Sequence, residues 1–289
     1  MSKISLMLVG LSLVVAGSSL TTAQQTPSMP KVLQITREFI KPGKAGAIHD
    51  RSESAFVQAM ARARWPTHYI ALSSLSGRSR ALYITAYDSF AAWQKDNDAV
   101  DKNTILSAEL NRAGVADGGL LDSLDQMVFY YEDDLSLRPQ PDLSHVRYFE
   151  ITAFHLRPGH HKEWTDLVKM VIAAHRKAGT NANWAMYQLE YGGGDDYTLF
   201  SADTSMADID EGFAEGKKFR EAMGEEGMKK LEDLVASTVE SADSELFAIN
   251  PRQSYPPDAW VKANPDFWKP KPAAAPAAKT APMGKKHTP

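Results

Sequence analysis

The chain has 289 residues, with 32 basic side chains, 36 acidic side chains and no cysteine. The lack of cysteine excludes disulfides, thiolate catalysis and cysteine metal ligands. Without the first 23 residues and the lysine-rich segment from Lys269, 26 basic residues stand against 36 acidic ones. A body with a net charge of −10 repels phosphate backbones, so we expect no nucleic-acid partner.

Residues 1–23 have the pattern of a secretory signal peptide. Lys3 precedes an apolar stretch from Ile4 to Ala16, and small residues up to Ala23 offer a cleavage site. The stretch is short for a membrane-spanning helix, although an uncleaved anchor is the alternative. We expect an exported bacterial protein, periplasmic or extracellular, with a leader at 24–31 and no transmembrane segment after signal removal. The absence of cysteine fits the periplasm.

Residues 32–137 are predicted to form a first repeat that reads strand, helix, strand, strand, helical region, strand. A Pro-Gly pair ends the first strand, and the next two strands flank a hairpin signal at 76–79. The predicted segments are a strand at Val32–Ile40, a helical stripe from Ile48 to Ala63, strands at Tyr69–Leu75 and Arg80–Tyr87, a helix around Phe90 and Trp93, broken helix at 101–124 and a strand at Gln126–Glu132.

Residues 146–250 repeat the same order at a fixed offset of 116 residues, after a linker at 138–145. The run from Ile40 to Gly43 falls on the run from Leu156 to Gly159. The predicted segments are a strand at Val146–Leu156, a helix containing Trp164, Leu167, Val168, Val171 and Ile172, strands at Trp184–Tyr191 and Asp196–Ala202 around a triple-glycine turn, helical segments at 205–241 and a strand at Glu245–Ile249. A fixed offset indicates two copies of one unit.

A βαββαβ unit is the ferredoxin-like motif, an antiparallel sheet with helices on one face. The other face needs cover, and two such sheets can cover each other. We therefore expect an α+β protein in which two tandem ferredoxin-like units pack sheet to sheet as an intrachain α/β barrel. Such a chain is a pseudo-dimer that needs no partner to close its barrel.

The chain resembles the dimeric α/β-barrel superfamily. The resemblance is carried by Lys41-Pro42-Gly43 before the first helix, and by the strand Ala81–Tyr87 followed by Asp88-Ser89-Phe90. It is nearest to the NIPSNAP-type branch, where a Pro-Gly opens the first helix and an aromatic strand ending in Tyr-Asp-Ser precedes the next. The superfamily includes haem-degrading and quinol-type monooxygenases, so the resemblance implies the fold and leaves the function open.

Two histidines are the candidate catalytic residues, because the first repeat has apolar residues at both positions. His175 continues the apolar stripe of its helix, and His155 lies on the same strand side as Phe149 and Ile151. If that side faces the helices, the two imidazoles line one cavity and could ligate haem iron or act as acid and base. The alternative is that each is a hydrogen-bonded structural histidine.

Other candidates are weaker. Trp164 and Trp184 are candidate ligand-binding residues of the second repeat. Glu38 lies on a strand face with Gln34 and Thr36, which we expect to line the barrel interior or its rim. A carboxylate there could transfer protons, or it could simply pair with Arg37.

The C-terminus is expected to form a strap at 251–268 and a disordered Lys/Pro/Ala tail at 269–289. The sequence favours binding of a small apolar or aromatic molecule in the sheet–helix cavities. The alternatives are a cofactor-free or haem-dependent monooxygenase and a non-catalytic envelope scaffold. Neither the ligand nor a cofactor is identified by the sequence.

Overall fold

A computed structural model describes residues 28–140, 142–193 and 197–269. The predicted signal peptide, the tip of the glycine-rich turn at 194–196 and the tail from residue 270 lie outside the described residues. Within the described ranges, no helix combines the length and apolarity that a membrane-spanning segment needs.

The first repeat forms four strands and three helices. Ser89 begins the second helix, where its hydroxyl accepts a hydrogen bond from the amide of Ala92 at 3.1 Å. The elements are β1 (Val32–Ile40), α1 (Ala47–Ala63), β2 (Tyr69–Ser74), β3 (Arg80–Tyr87), α2 (Phe90–Lys102), α3 (Thr104–Gly118) and β4 (Leu121–Tyr131).

The second repeat forms four strands and two helices, and two short helices follow it. The longest helix is kinked at Gly224, whose φ is 70°. The elements are β5 (Tyr148–Leu156), α4 (His161–Ala178), β6 (Ala185–Tyr191), β7 (Tyr197–Asp203), α5 (Met206–Thr238), β8 (Val239–Ile249), α6 (Asp258–Ala263) and α7 (Pro265–Trp268).

The eight strands close into one antiparallel barrel in the order β1-β3-β2-β8-β5-β7-β6-β4. Each repeat contributes four neighbouring strands with the ferredoxin-like order, β4-β1-β3-β2 and β8-β5-β7-β6. The repeats join where β2 pairs with β8 and where β4 pairs with β6. The fold class predicted from the sequence is confirmed.

The two last strands of the repeats are longer than predicted. β4 begins at Leu121 rather than Gln126, and β8 begins at Val239 rather than Glu245. Their first halves are mostly exposed and therefore lack the apolar alternation that marks a half-buried strand.

Each strand has one side in the barrel interior and one side against the helices. Leu33 and Ile35 of β1 meet Phe149 and Ile151 of β5 in the interior core. The alternate residues face outwards, and Phe154 of β5 packs with the residues of α4. The side of Phe149 and Ile151 therefore faces the barrel interior and not the helices.

The C-terminal segment closes one end of the barrel. Trp268 is 3% exposed and packs into the interior core. Its Nε1 donates a hydrogen bond to the carbonyl of Ser144 at 3.0 Å. Trp260 packs against it in a tilted arrangement and Phe267 edge-to-face, so the end of the described chain is anchored by aromatic contacts.

Candidate functional site

His155 and His175 lie on opposite sides of the second sheet. His175 lies between Phe219 and Trp184, with ring centroids 4.6 Å and 5.6 Å away, and its Nδ1 is 2.8 Å from the hydroxyl of Thr180. Burial lowers its pKa, and the charge of Arg138 adds to the effect. His155 is on the strand side of Phe149 and Ile151, which faces the barrel interior. The condition for a shared cavity, that this strand side faces the helices, is therefore not met, and the catalytic role of either histidine stays a prediction.

The two tryptophans hold core positions. Trp164 is 1% exposed, and its ring centroid is 4.7 Å from that of Phe154 and 5.4 Å from that of Tyr197. Trp184 is 7% exposed and donates from Nε1 to the carbonyl of Leu135 at 2.8 Å. Trp184 also borders a groove of about 780 Å³ between the sheet and α5. A ligand-binding role for either ring stays a prediction.

The groove beside Trp184 does not fit the propionate groups of a haem. The groove beside Trp184 is lined by carboxylates of the sheet and α5, namely Glu150, Asp203, Asp208, Glu211 and Glu215. These groups would repel the propionates of a haem.

The first repeat contains a buried cluster of four ionisable side chains between its sheet and its helices. Glu38 projects from β1, His49 and Glu53 from α1, and Asp117 from α3; they are 6%, 1%, 3% and 2% exposed. The spacing of four residues places His49 and Glu53 on one face of α1. Nε2 of His49 is 3.0 Å from Oε2 of Glu38 and 3.7 Å from Oδ1 of Asp117. One donor atom from each residue lies within 4.8 Å of the others.

A second layer of polar groups surrounds this histidine–carboxylate cluster. Gln253, from the segment after β8, places its Nε2 3.1 Å from Nδ1 of His49 and 2.9 Å from a carboxylate oxygen of Asp50. The hydroxyl of Tyr83 donates to Oε1 of Gln253 at 3.3 Å. Tyr69 packs edge-on against Tyr83. The C-terminal segment therefore completes the surroundings of a site in the first repeat.

The cluster concentrates negative charge in a buried space. Burial raises the pKa of Glu53 to about 9, and the charges of Glu38 and Asp117 add to the effect. Oε1 of Glu53 and both carboxylate oxygens of Asp117 have no hydrogen-bond partner. Among the described residues, His49 is the one basic side chain within ion-pair distance of these carboxylates. Leaving buried polar groups unsatisfied costs about 1–3 kcal/mol each.

The equivalent space of the second repeat is apolar. Glu38 corresponds to Phe154 at the offset of 116 residues, and Tyr83 corresponds to Leu199. Both apolar side chains belong to a hydrophobic cluster with Trp164 and Val168 of α4. These two buried residues lie 115 residues after His49 and Glu53, one residue short of the offset, which itself falls on Thr165 and Lys169. The fold is thus built without polar groups at this place, and the cluster is specific to the first repeat.

Most residues of this cluster are not among the candidates that the sequence pattern indicates. Glu38 is a candidate from the sequence, but it was expected in the barrel interior or at its rim. It faces the helices instead, because Leu33 and Ile35 occupy the interior side of β1. The helical stripe of α1 was assigned from Ile48, which is 48% exposed, while the neighbouring His49 is buried. The available signal was the comparison of the repeats, since Glu38 stands where the second repeat has Phe154.

An apolar cavity of about 510 Å³ lies at the barrel end beside the C-terminal segment. Strand residues form its floor, including Leu33, Ile84, Phe149, Tyr187 and Phe200, and Pro257 and Trp260 form part of its rim. His68 also lines it, and Nδ1 of His68 is buried without a hydrogen-bond partner.

No family model matches the chain, and no curated protein sequence matches it. Solved structures do match. A proposed monooxygenase from Fusobacterium nucleatum is 9% identical, with a TM-score of 0.51 over 76% of this chain and 93% of that chain. A proposed monooxygenase from Lactobacillus acidophilus is 7% identical, with a TM-score of 0.47 over 76% and 94%. The chlorite dismutase of Candidatus Nitrospira defluvii is 8% identical, with a TM-score of 0.46 over 82% and 96%. These matches concern the fold alone.

Proposed function

We propose that this chain is an exported α/β-barrel protein that binds a small apolar or aromatic molecule in the cavity at the barrel end. The observation that carries the proposal is the cavity of about 510 Å³ with its aliphatic and aromatic floor. Its volume is in the range of small-molecule sites, which are concave, mostly apolar and equipped with a few polar groups. The sheet–helix space expected from the sequence is a less suitable place, because it holds the ionisable cluster in one repeat and a filled apolar core in the other.

The polar group of the site is His68. Its Nδ1 has no partner, and its ring stacks on Tyr255 at a centroid distance of 4.8 Å, which fixes its orientation. A ligand with one hydroxyl or carbonyl group would satisfy this nitrogen while its apolar body covers Phe149 and Phe200.

Two alanines of the inner strand faces provide a matched test. Ala86 lines the barrel-end cavity, and Ala153 lines the opposite end of the barrel. We expect Ala86→Phe to weaken binding of an apolar fluorescent probe such as anilinonaphthalene sulfonate by at least about tenfold, because the new ring occupies the cavity. Ala153→Phe should leave the affinity unchanged. Equal affinities for both variants and the wild type would refute the proposed site, and native mass spectrometry of the purified protein would identify a retained ligand.

A second candidate function is that of a monooxygenase-like enzyme. It is favoured by the buried histidine–carboxylate cluster, because ionisable groups with shifted pKa values concentrate at catalytic sites. Oxygen uptake in the presence of hydroquinones, lost in Asp117→Asn and kept in the exposed equivalent Asp233→Asn, would support it. Lack of both turnover and ligand binding would leave the envelope scaffold as the remaining function.

The closer relationship to the NIPSNAP-type branch is also a proposal. It is supported by Pro42-Gly43 before α1 and by Tyr87-Asp88-Ser89 before α2, where Ser89 caps the helix. A sequence profile of that branch that failed to align both motifs with these positions would contradict it.

A further inference from the structure

We propose that Glu38, His49, Glu53 and Asp117 form a binding site for one divalent transition-metal ion. The proposal concerns the sheet–helix space of the first repeat, and it is independent of ligand binding at the barrel end. It has three supports: the geometry of the donor atoms, the unsatisfied charge of the site, and the apolar character of the equivalent place in the second repeat.

The donor atoms are already close to the arrangement that a metal ion requires. One imidazole nitrogen and three carboxylate oxygens lie within 4.8 Å of one another. Two ligands on opposite sides of an octahedral ion with bonds of about 2.1 Å are about 4.2 Å apart, and two ligands of a tetrahedral ion are about 3.4 Å apart. The widest-spaced donor atoms therefore need to converge by roughly 0.6 Å for the first geometry and roughly 1.4 Å for the second, which rotation of the carboxylate side chains supplies.

The buried carboxylates of the cluster lack a balancing positive charge, which a bound cation would supply. Asp117 is 2% exposed, its carboxylate is 3.7 Å from Nε2 of His49, and its other polar neighbour in the cluster is the carboxyl group of Glu53. Oε1 of Glu53 has no hydrogen-bond partner. With its pKa of about 9, Glu53 is protonated at neutral pH, so the buried negative charge is that of Glu38 and Asp117. One histidine cannot balance both carboxylates, whereas a divalent ion would balance them and bind the free oxygens.

The comparison of the repeats indicates that these residues are not needed for folding. The second repeat fills the same space with Phe154, Trp164, Val168 and Leu199. Replacing buried ionic groups by packed apolar ones is often neutral or stabilising, so the stability of the fold does not explain four ionisable groups here. Binding of a metal ion would explain them.

The donor set indicates the class of metal. Carboxylates suit hard ions, and imidazole suits the later transition metals. One imidazole with three carboxylates, and no thiolate, therefore fits Mn²⁺, Fe²⁺ or Zn²⁺ and is poor for Cu⁺. We expect Mn²⁺ and Zn²⁺ to bind more tightly than Mg²⁺.

The experiment uses the full mature chain. Protein is stripped with a chelator and titrated with Mn²⁺ and with Zn²⁺ by calorimetry, and its thermal unfolding is followed with and without each ion. We expect one ion per chain and a rise in Tm of about 5 °C at saturation. Asp117→Asn and Glu53→Gln keep the shape of the side chains and should weaken binding at least about tenfold.

Asp233→Asn is the matched control, because Asp233 lies 116 residues after Asp117 and is exposed on α5. It should bind like the wild type. The proposal is overturned if folded wild-type protein binds neither Mn²⁺ nor Zn²⁺, because the cluster then holds only shared protons. It is also overturned if both isosteric variants bind like the wild type, and equally if Asp203→Asn in the acidic groove is the change that abolishes binding.

Discussion

The imidazole of His49 lies with its Nε2 3.0 Å from the carboxylate of Glu38. Its other nitrogen faces the amide nitrogen of Gln253 at 3.1 Å. Because that amide donates to Nδ1, the proton of the neutral imidazole is on Nε2, where it is donated to Glu38. A metal at Nε2 would move this proton to Nδ1, and Gln253 could accept it only by turning its amide and giving up its hydrogen bonds with Asp50 and Tyr83.

Gln253 is therefore expected to act as a positioning residue for the proposed metal site. Gln253→Leu removes the partner of Nδ1 and should lower metal affinity by about tenfold. Gln253→Glu combined with Asp50→Asn supplies an acceptor for the Nδ1 proton without placing two carboxylates in contact, and it should restore much of the affinity, which a purely structural role would not predict. Calorimetric titration with Zn²⁺ measures both variants. An affinity of Gln253→Leu equal to that of the wild type would exclude this role.

Asp203 should make stability depend on pH. Burial raises its pKa from 3.8 to about 6, and the charges of Glu150 and Asp208 add to the effect. The folded state thus favours the protonated form of Asp203. The contribution of this proton to the free energy of unfolding is fully present below about pH 4 and is lost as the pH rises through 6. Asp203→Asn should be more stable than the wild type by about 1–2 kcal/mol at pH 7.5 and similar to it at pH 4. Urea denaturation at both pH values checks this, and an equal gain at both would contradict it.

The C-terminal residues are expected to differ sharply in their contribution to stability. Trp268→Ala removes a side chain that is 3% exposed and should lower the free energy of unfolding by about 3 kcal/mol. Truncation after Lys269 removes only residues of the Lys/Pro/Ala tail and should leave the Tm unchanged. Thermal denaturation of the two variants side by side makes the comparison. A large loss on truncation would show that the tail belongs to the fold.

His155 and His175 are expected to act independently, because a sheet separates them. His155→Phe and His175→Ala restore the residue types of the first repeat. Their effects on unfolding free energy should add within about 0.5 kcal/mol in a double-mutant cycle. A larger coupling, or loss of ligand binding in either single variant with retained folding, would support the catalytic site predicted from the sequence.

Export can be tested directly. We expect signal removal near Ala23, because Lys3, the apolar run and the small residues have the order of a cleavable signal. N-terminal sequencing of protein from the cell envelope and culture medium determines the first residue. Intact Met1 in the exported fraction, or recovery from the cytoplasm alone, would contradict export.

The sequence was sufficient for the fold because the two repeats support each other. The segments around Pro42-Gly43 and Pro158-Gly159 align the two repeats at their fixed offset. The βαββαβ order of each repeat then predicts its sheet, and two such sheets predict the barrel. Strand boundaries could not be predicted where a segment is a strand only because it pairs with a distant strand. Val239–Ser244 is strand only because β5 pairs with it, and its exposed residues give no alternation of their own.

The candidate site was harder to predict for a related reason. Glu38 and His49 are polar residues in amphipathic elements, and alternation along β1 does not tell which side faces the helices. That orientation is decided by the closure of the barrel, which places Leu33 and Ile35 inside. Asp117 and Gln253 are far from His49 in the sequence and come close to it only in the folded chain. No local spacing therefore connects them to His49.

The joining of both repeats in one chain has a consequence for how such a site can arise. In a symmetric homodimer, one gene specifies both halves, so a carboxylate introduced at Glu38 appears twice and both copies must tolerate it. Here Glu38 and Phe154 are encoded separately. One half can keep a hydrophobic centre, while the other carries four ionisable side chains between its sheet and its helices. A symmetric homodimer cannot have this asymmetry, because each change in its gene alters both sheet–helix spaces.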